Sequence, residues 1–540
     1  MSTQAPGAMS TRDPGAPSTQ PAAPMSHRQI LEALSGLLLA LFVSMLSATI
    51  VSNALPQIIG SLNGSQTQYT WVVTATLLTS TVTTPIWGKL ADLVSKKTLI
   101  QVSIVIFLLG SFVSGFAQDT PQLIAARAFM GIGVGGLQAL VQVAIAAMIP
   151  PRERGRYNGY LGGVMALATV AGPLIGGVIV DTDWLGWRWC FFIGIPFALI
   201  SLFLLQATLK LPVVKRDDVK IDYLGASLIA AGVSVILIWI SFVDDSFAWL
   251  SWQTGAMVGG GLLLLAAAVW VESRVTEPIV PLNIVRQRTP ALSILASLAV
   301  GMAMFGGAVF LGQYFQIGRG YSPTEAGLLT IPMMAGVLIS SIVAGRMITK
   351  SGNVKPYILT GTVVLVLGFL ALSTIDHETS LYLVGGAMLL VGVGVGLSMQ
   401  NLILAVQNDV PLKDIGAASA TVTFFRSLGG TIGVSVLGAV LARRVNDSIT
   451  RDLTAAGIPA GGGDSGTSAL NLAALPEAVQ DIVRAAYGDA TGHIFLISAA
   501  IGVIGILAAI FLRPTKLRSS LDLGEKLEVP ASAPVVEAGR

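Results

Sequence analysis

The stretch G-K-L-A-D-L-V-S-K-K, Gly88 to Lys97, lies between two apolar runs, Tyr69 to Trp87 and Leu99 to Ala117, each long enough to cross a bilayer. A tight, charged turn therefore joins two membrane helices. Lys89, Lys96 and Lys97 crowd this turn, and short loops rich in Lys and Arg stay on the cytoplasmic side. Gly88 permits close approach of another helix. Asp92 is a lone carboxylate among cations, placed to accept hydrogen bonds or to face a helix N-terminus. The same charges would also suit an ordinary positive-inside loop.

Working outward, the chain has 540 residues, 53% of them hydrophobic and only 11% charged. Its mean hydropathy is +0.76, far too apolar for a soluble domain of this size. The fold class is therefore all-α and polytopic. The net charge of +3 matters less than its placement in alternate loops, and no nucleic-acid surface is implied. The single cysteine, Cys190, excludes an intrachain disulfide and a multi-Cys metal site. His27, His377 and His493 fall in tails, loops or helix ends, so neither a metal centre nor a catalytic histidine is expected, and no cofactor is called for.

Residues 1–27 are rich in Pro, Ser, Thr, Ala and Gln and read as a disordered cytoplasmic tail without the regions of a signal peptide. Six apolar spans follow between Ile30 and Leu209, two more at Leu224 to Phe242 and Thr254 to Val271, and six between Ala291 and Leu512. Fourteen spans place both termini on one side. Loops assigned inside carry Arg152, Arg154 and Arg156; Lys210, Lys215, Arg216 and Lys220; Arg274, Arg286 and Arg288; Arg346, Lys350 and Lys355; Lys413; and the tail's Arg513, Lys516 and Arg518. Outside loops hold only Arg188 and Arg319, apart from 442–492, a segment read as a long flexible extracellular loop with its Gly461–Gly463 run. The expected domains are a six-helix bundle over 28–210, two additional helices over 211–288, a second six-helix bundle over 289–513 and a cytoplasmic tail over 514–540. Gly345 to Lys355, G-R-M-I-T-K-S-G-N-V-K, echoes the Gly88 stretch in the second half, with Thr349 in place of the acid.

Several helices carry polar or small residues in patterned positions. In helix 5, Ala168, Gly172, Pro173, Gly176 and Gly177 form A-x-x-x-G-P-x-x-G-G; residues 168, 172 and 176 share a face that admits a neighbouring backbone. Pro173 provides no N–H to Thr169 and marks a bend or weak point. Helix 4 contains L-I-A-A-R-A-F-M-G-I-G-V-G-G, which puts Arg127 about 7 Å inside its span. Arg127, Gly131, Gly135, Gln138 and Gln142 form one stripe. Gln313 and Gln316 on helix 9, and Gln400 and Gln407 on helix 12 with Asn401 beside them, fit cavity lining and interhelical hydrogen bonding equally well. In helix 13, Arg426 lies about 16 Å past Ile415, near mid-membrane, without a sequence-adjacent acid.

These stretches, in this order, resemble the major facilitator superfamily. The Gly88 turn is similar to the family's loop between helices 2 and 3, with Ser95 where Gly is usual. The resemblance makes Asp92 a conformational latch, with Gly88 and Lys97 beside it. The helix 4 stretch resembles a motif whose arginine, here Arg127, is tied to proton coupling; the helix 5 stretch resembles the antiporter motif of exporters, with Ala168 for its first Gly. W-R-W-C-F-F-I-G-I-P from Trp187 to Pro196 and I-D-Y-L-G from Ile221 to Gly225 resemble segments of the fourteen-helix drug:proton antiporter branch. In helix 1, L-S-A-T-I-V-S-N-A-L-P from Leu46 to Pro56 resembles that branch but has Ser47 in place of its acid; Asn53 lies further along the same helix.

The resemblance implies a secondary transporter of the plasma (inner) membrane, exporting small amphipathic organic compounds against protons by alternating access, with the lipid bilayer and protons as its partners. A monomer is expected. Gln138, Gln142, Gln313, Gln316, Gln400, Asn401, Ser47 and Asn53 are the candidate cavity residues, and Arg127, Asp92, Gly88, Lys97 and Arg426 the coupling and gating set. With Ser47 for the acid and Arg426 unpaired, the cavity should disfavour permanent cations and accept neutral or anionic amphiphiles. An importer or a lipid exporter would share the fold. A membrane enzyme lacks support, since no His, Cys or paired carboxylate cluster marks a membrane face.

Overall fold

The computed structural model describes residues 27–62, 66–182, 184–209, 222–243, 247–275, 278–280, 282–411, 414–456, 477–514 and 516–518. The N-terminal tail, residues 210–221 and the Gly461–Gly463 run lie outside the described residues.

Among the described residues, fourteen helices of membrane length follow one another. They are α1 (His27–Ser61), α2 (Gln66–Leu93), α3 (Lys96–Gly115), α4 (Thr120–Met148), α5 (Pro151–Asp181), α6 (Gly194–Thr208, after a short turn Trp189–Phe192), α7 (Tyr223–Phe242) and α8 (Trp252–Glu272). Then come α9 (Arg288–Gln313, continued by a π turn Tyr314–Gly318), α10 (Pro323–Leu329 and Ile331–Ser351), α11 (Lys355–Leu372), α12 (Leu381–Asp409), α13 (Ile415–Ala455) and α14 (Glu477–Phe511). Thirteen are apolar enough to span on composition alone; α2, with its many Thr and Ser residues and Pro85, is less apolar and packs inside the bundle.

Local chemistry sets the boundaries. The Asp119 carboxylate caps α4 through the Gln122 N–H at 2.8 Å. Ser322 and Glu325 form a capping box at the start of α10, and Gly352, at φ 67°, closes its end in the left-handed conformation.

Helix contacts repeat. In the first half α1 packs on α5 and α6, α4 on α2 and α3, and α3 on α6; in the second, α9 packs on α13 and α14, α12 on α10 and α11, and α11 on α14. Each pair in one set has its counterpart eight helices later. The halves meet along α2–α13 and α5–α10, again counterparts of each other. The added pair stands apart: α8 packs on α7, and α7 reaches α2 and α13.

Two expectations are corrected. The segment 442–492 is largely helical where described: α13 continues past Leu441 to Ala455, and α14 begins at Glu477 rather than Ile494. Val445 and Ile449 bury against Val483, Ala486 and Ala490, whereas Arg443 and Arg444 face outward. These are amphipathic extensions, whose exposed charges mask an apolar stripe in any averaged hydropathy. Arg154, assigned to a loop, sits instead in the first turn of α5, because Pro150 and Pro151 start that helix early.

Candidate functional site

Asp92 lies beyond the apolar run of α2, and its carboxylate closes one face of the molecule. Oδ1 accepts from the Gly416 N–H and Oδ2 from the Ala417 N–H, both at 2.8 Å, at the start of α13. A helix N-terminus carries unpaired N–H groups and partial positive charge, so an acid there satisfies two donors across the halves. Gly88 makes this possible: a Cβ there would meet Ala420 Cβ and the Gly416 carbonyl. Burial pushes the Asp92 carboxyl up to about 7, against the two backbone N–H groups and the charges of Lys96 and Lys89.

The second seam, α5–α10, uses the opposite charge. Gly345 lies against the Gly155 carbonyl, as Gly88 lies against Gly416. Arg152 donates to the carbonyls of Thr349 at 3.2 Å and Lys350 at 3.4 Å, in the last turn of α10. A cation at a helix C-terminus thus stands where the first seam has an anion at an N-terminus. The echo of the Gly88 stretch at Gly345 is weak in sequence and close in geometry.

Further in, α12 presents a polar ladder. Gln407 Oε1 accepts from Arg154 Nη1 at 3.0 Å, and Gln407 Nε2 donates to Ser419 at 2.9 Å. Arg154 is fully buried and also donates to the carbonyls of Ile149 and Ala146. Two turns deeper, about 10 Å along the helix, the Gln400 Oε1 accepts from Gln142 Nε2 at 2.8 Å. Gln400 and Gln142 therefore bind each other across the halves and close this face. Asn401 turns back on its own helix to the Leu397 carbonyl.

The remaining candidates divide. Arg127 is buried; its Nε donates to the Val72 carbonyl at 3.4 Å, and its Nη1 has no hydrogen-bond partner among the described residues. Thr76 in turn donates to the Arg127 carbonyl, and Gly131 and Gly135 press on the α2 backbone. Arg426 is buried at mid-helix with Nη1 likewise unpartnered, and Ser47 Oγ is a third such atom. Gln138 is half-buried on α4. Gln313 is half-buried but Gln316 is exposed, because the π turn widens the helix and breaks their three-residue spacing. The side chain of Asn53 lies outside the described residues. Lys97 stays within the first half: it donates to the Gln206 carbonyl at 2.7 Å, at the C-terminal turn of α6.

The α5 stripe faces α1. Thr49 donates to the Ala168 carbonyl at 3.1 Å and fills the space over Gly172, and Gly176 lies against the Ile50 carbonyl. Gly177 meets Thr324 of α10. The helix continues through Pro173, whose side chain lies outside the described residues.

Sequence reasoning missed Arg152 and Arg154 as contacts between the halves, while Gln407 follows the interhelical hydrogen-bonding reading. The available signal was the P-P-R-E-R-G-R run after α4, where prolines at a helix start set the arginines in its first turn.

The comparisons agree with this geometry. The model of the Major Facilitator Superfamily matches residues 37–434. Multidrug transporter protein MdtP of Bacillus subtilis (strain 168) is 35% identical over 420 residues, 78% of this chain and 77% of that protein. Efflux pump FUS6 of Gibberella moniliformis is 30% identical over 513 residues, 92% and 90% of the two chains. The solved structure of the proton:xylose symporter XylE has a TM-score of 0.59 at 16% identity, covering 91% of this chain and 97% of that one. The human organic anion transporter MFSD10 has a TM-score of 0.57 at 13% identity, covering 87% and 99%. At those identities the likeness is one of fold. With the repeated helix pairs and the closed face between halves, these findings make the chain a multi-pass membrane transporter, not an enzyme, and a member of the Major Facilitator Superfamily.

Proposed function

We propose that this protein exports small amphipathic organic compounds by proton antiport, through alternating access between the halves. The Asp92 face is the cytoplasmic one, on the charge pattern of its loops. The observation that carries the reading is the makeup of that face: the halves are joined there by a few separable polar contacts, those of Asp92, Arg152, Arg154 and Gln142. Such contacts can be exchanged for water as the halves rock. Relatives named as multidrug and efflux transporters support export. Arg127, buried with an Nη1 unpartnered among the described residues, is the coupling residue of this reading.

The test is efflux from cells expressing wild type or Arg127→Ala, against a compound panel, with and without a collapsed pH gradient. Gradient-dependent efflux that falls roughly tenfold in the variant, about 1.4 kcal/mol, is the expected result. Uptake instead of efflux, or efflux indifferent to the gradient, overturns the reading.

On substrate charge, Arg426 and Ser47 favour neutral or anionic amphiphiles over permanent cations. Among the described residues both have buried polar atoms without partners, and no carboxylate sits beside them in their helices. Transport of a quaternary cation as fast as of an anionic compound, unaltered by Ser47→Asp, contradicts this.

A further inference from the structure

The two added helices carry a feature that the transport reading leaves unused. Asp222 caps the start of α7, and Glu272 is the last residue of α8, so the hairpin brings two acids together at the Asp92 face. Both are more than nine-tenths buried. Asp222 Oδ1 accepts from the Gly225 N–H at 2.8 Å, while its Oδ2 is buried with no hydrogen-bond partner among the described residues. Glu272 ties down the chain after α8: its Oε1 accepts from the Ile279 N–H at 3.1 Å and its Oε2 from the Val280 N–H at 3.2 Å. The free Asp222 Oδ2 and Glu272 Oε1 converge on the same spot beside Gly225, the point a Cβ there would occupy. Glycine at that position leaves room for both oxygens, which a side chain there would displace.

Two carboxylates that face one another out of water cannot both hold a charge cheaply, and an acceptor atom with no donor needs a hydrogen from somewhere. We propose that Asp222 and Glu272 hold a single proton between Asp222 Oδ2 and Glu272 Oε1, forming a protonation site of the added hairpin that is linked to the Asp92 latch through Lys89. The proton comes from and returns to water, with no other bond formed or broken.

The surrounding charges fit this assignment. On α2 the group facing the pair is Lys89, buried and within electrostatic reach of both Glu272 and Asp92. Lys96, at the start of α3, acts on Asp92. Past α8, Arg274 stacks on Trp270 at 4.2 Å. From α13 the packed side chains are Phe424, Phe425 and Leu428; the charged residue of that stretch, Arg426, has its backbone against Gly301 of α9. With its proton the pair carries one negative charge opposite Lys89. Without it, two charges compete with Asp92 for the same ammonium, and the latch loses part of its electrostatic support. A proton taken up in the hairpin thus bears on whether the cytoplasmic face stays closed, a role that builds on the antiport reading.

Infrared spectroscopy of the full chain in lipid nanodiscs, titrated across neutral pH, reads the protonated-carboxyl C=O band without any transport assay. Wild type is expected to show a band that disappears as pH rises. The Asp92 carboxyl also titrates near 7 and contributes to this band, so the comparison is made in an Asp92→Asn background; there Asp222→Asn and Glu272→Gln should each abolish the remaining band, because either substitution leaves a lone carboxylate facing Lys89. Asn caps helices as well as Asp, so Asp222→Asn keeps the start of α7 intact. Absence of a titrating band in the Asp92→Asn protein, or its persistence unchanged when Asp222→Asn is added to it, overturns the proposal. The outcome is separable from that of the transport reading: a titrating shared-proton band in a protein whose efflux ignores the pH gradient sinks the antiport alone.

Discussion

Arg154 is the largest fully buried side chain of the first half, and it spends its donors on two carbonyls of α4 and its loop and on Gln407 from the other half. A buried guanidinium that loses an acceptor is left with an unpaired donor, so Gln407→Leu should lower stability by roughly 1.5–3 kcal/mol. The melting temperature of the purified protein checks this. Arg154→Met combined with Gln407→Leu should cost less than the two single changes added together, because removing both partners leaves no orphaned charge. None of this was legible beforehand, since the two side chains lie 253 residues apart and no local pattern links them. By contrast, Gly88 and Asp92 could be read from their own turn, because a small residue and an acid among lysines are informative wherever they stand. Their partners, Gly416 and Ala417, were not.

At the scale of elements, the seams depend on glycines that let helices touch. A Cβ at Gly88 would overlap Ala420 and Gly416, and one at Gly345 would overlap Gly155. Gly88→Val and Gly345→Val should each push a seam apart and destabilise by about 1–3 kcal/mol, with faster hydrogen exchange at the start of α13 and of α5 respectively. The Asp92 contact with α13 has its own pH dependence. Its carboxyl titrates near 7 in the closed face and near the ordinary 3.8 once hydrated, so proton binding favours the closed form. That support is complete below about 3.8 and lost as pH rises through about 7. Hydrogen exchange at Gly416 and Ala417, corrected for intrinsic rate, should therefore increase between those limits, and the trend should vanish in Asp92→Ala. Element boundaries were the weakest part of the sequence reading. Runs of Leu, Ile and Val mark membrane spans plainly, but the ends of α13 and α14 bury one stripe and expose charge on the other, which resembles a loop when averaged.

For the whole molecule, the fourteen helices and the two related halves were legible from composition, charge placement and motif order, whereas the two seams come from the packing, and both ends of the described chain meet one face. Thr208, at the end of α6, reaches the Glu32 carbonyl near the start of α1, and Leu517 donates to the Gly352 carbonyl at 2.8 Å. The tail after α14 is thereby tied to the α10–α11 turn, and the Arg152 N–H donates to the Arg518 carbonyl at 3.1 Å across the halves. Truncation after Arg513 should accordingly ease opening on the α5–α10 side, seen as more rapid labelling of a cysteine placed at Thr349. Sequence alone left the position of the added hairpin undefined. Its apolar helices would suit any lipid-facing site, and only the packing of Val233 and Leu237 against Val82 and Phe424 places it beside the α2–α13 seam.

The opposite polarity of the two seams has a mechanical corollary. A buried carboxyl loses its proton, and with it the support for closure, as acidity falls, whereas guanidinium groups as a class stay charged. Of two fasteners at corresponding places, one answers to protons and the other does not, so a shift in acidity acts as a one-sided pull. The halves should begin to part like a door on its jamb, swinging from the α2–α13 edge while the α5–α10 edge serves as the hinge.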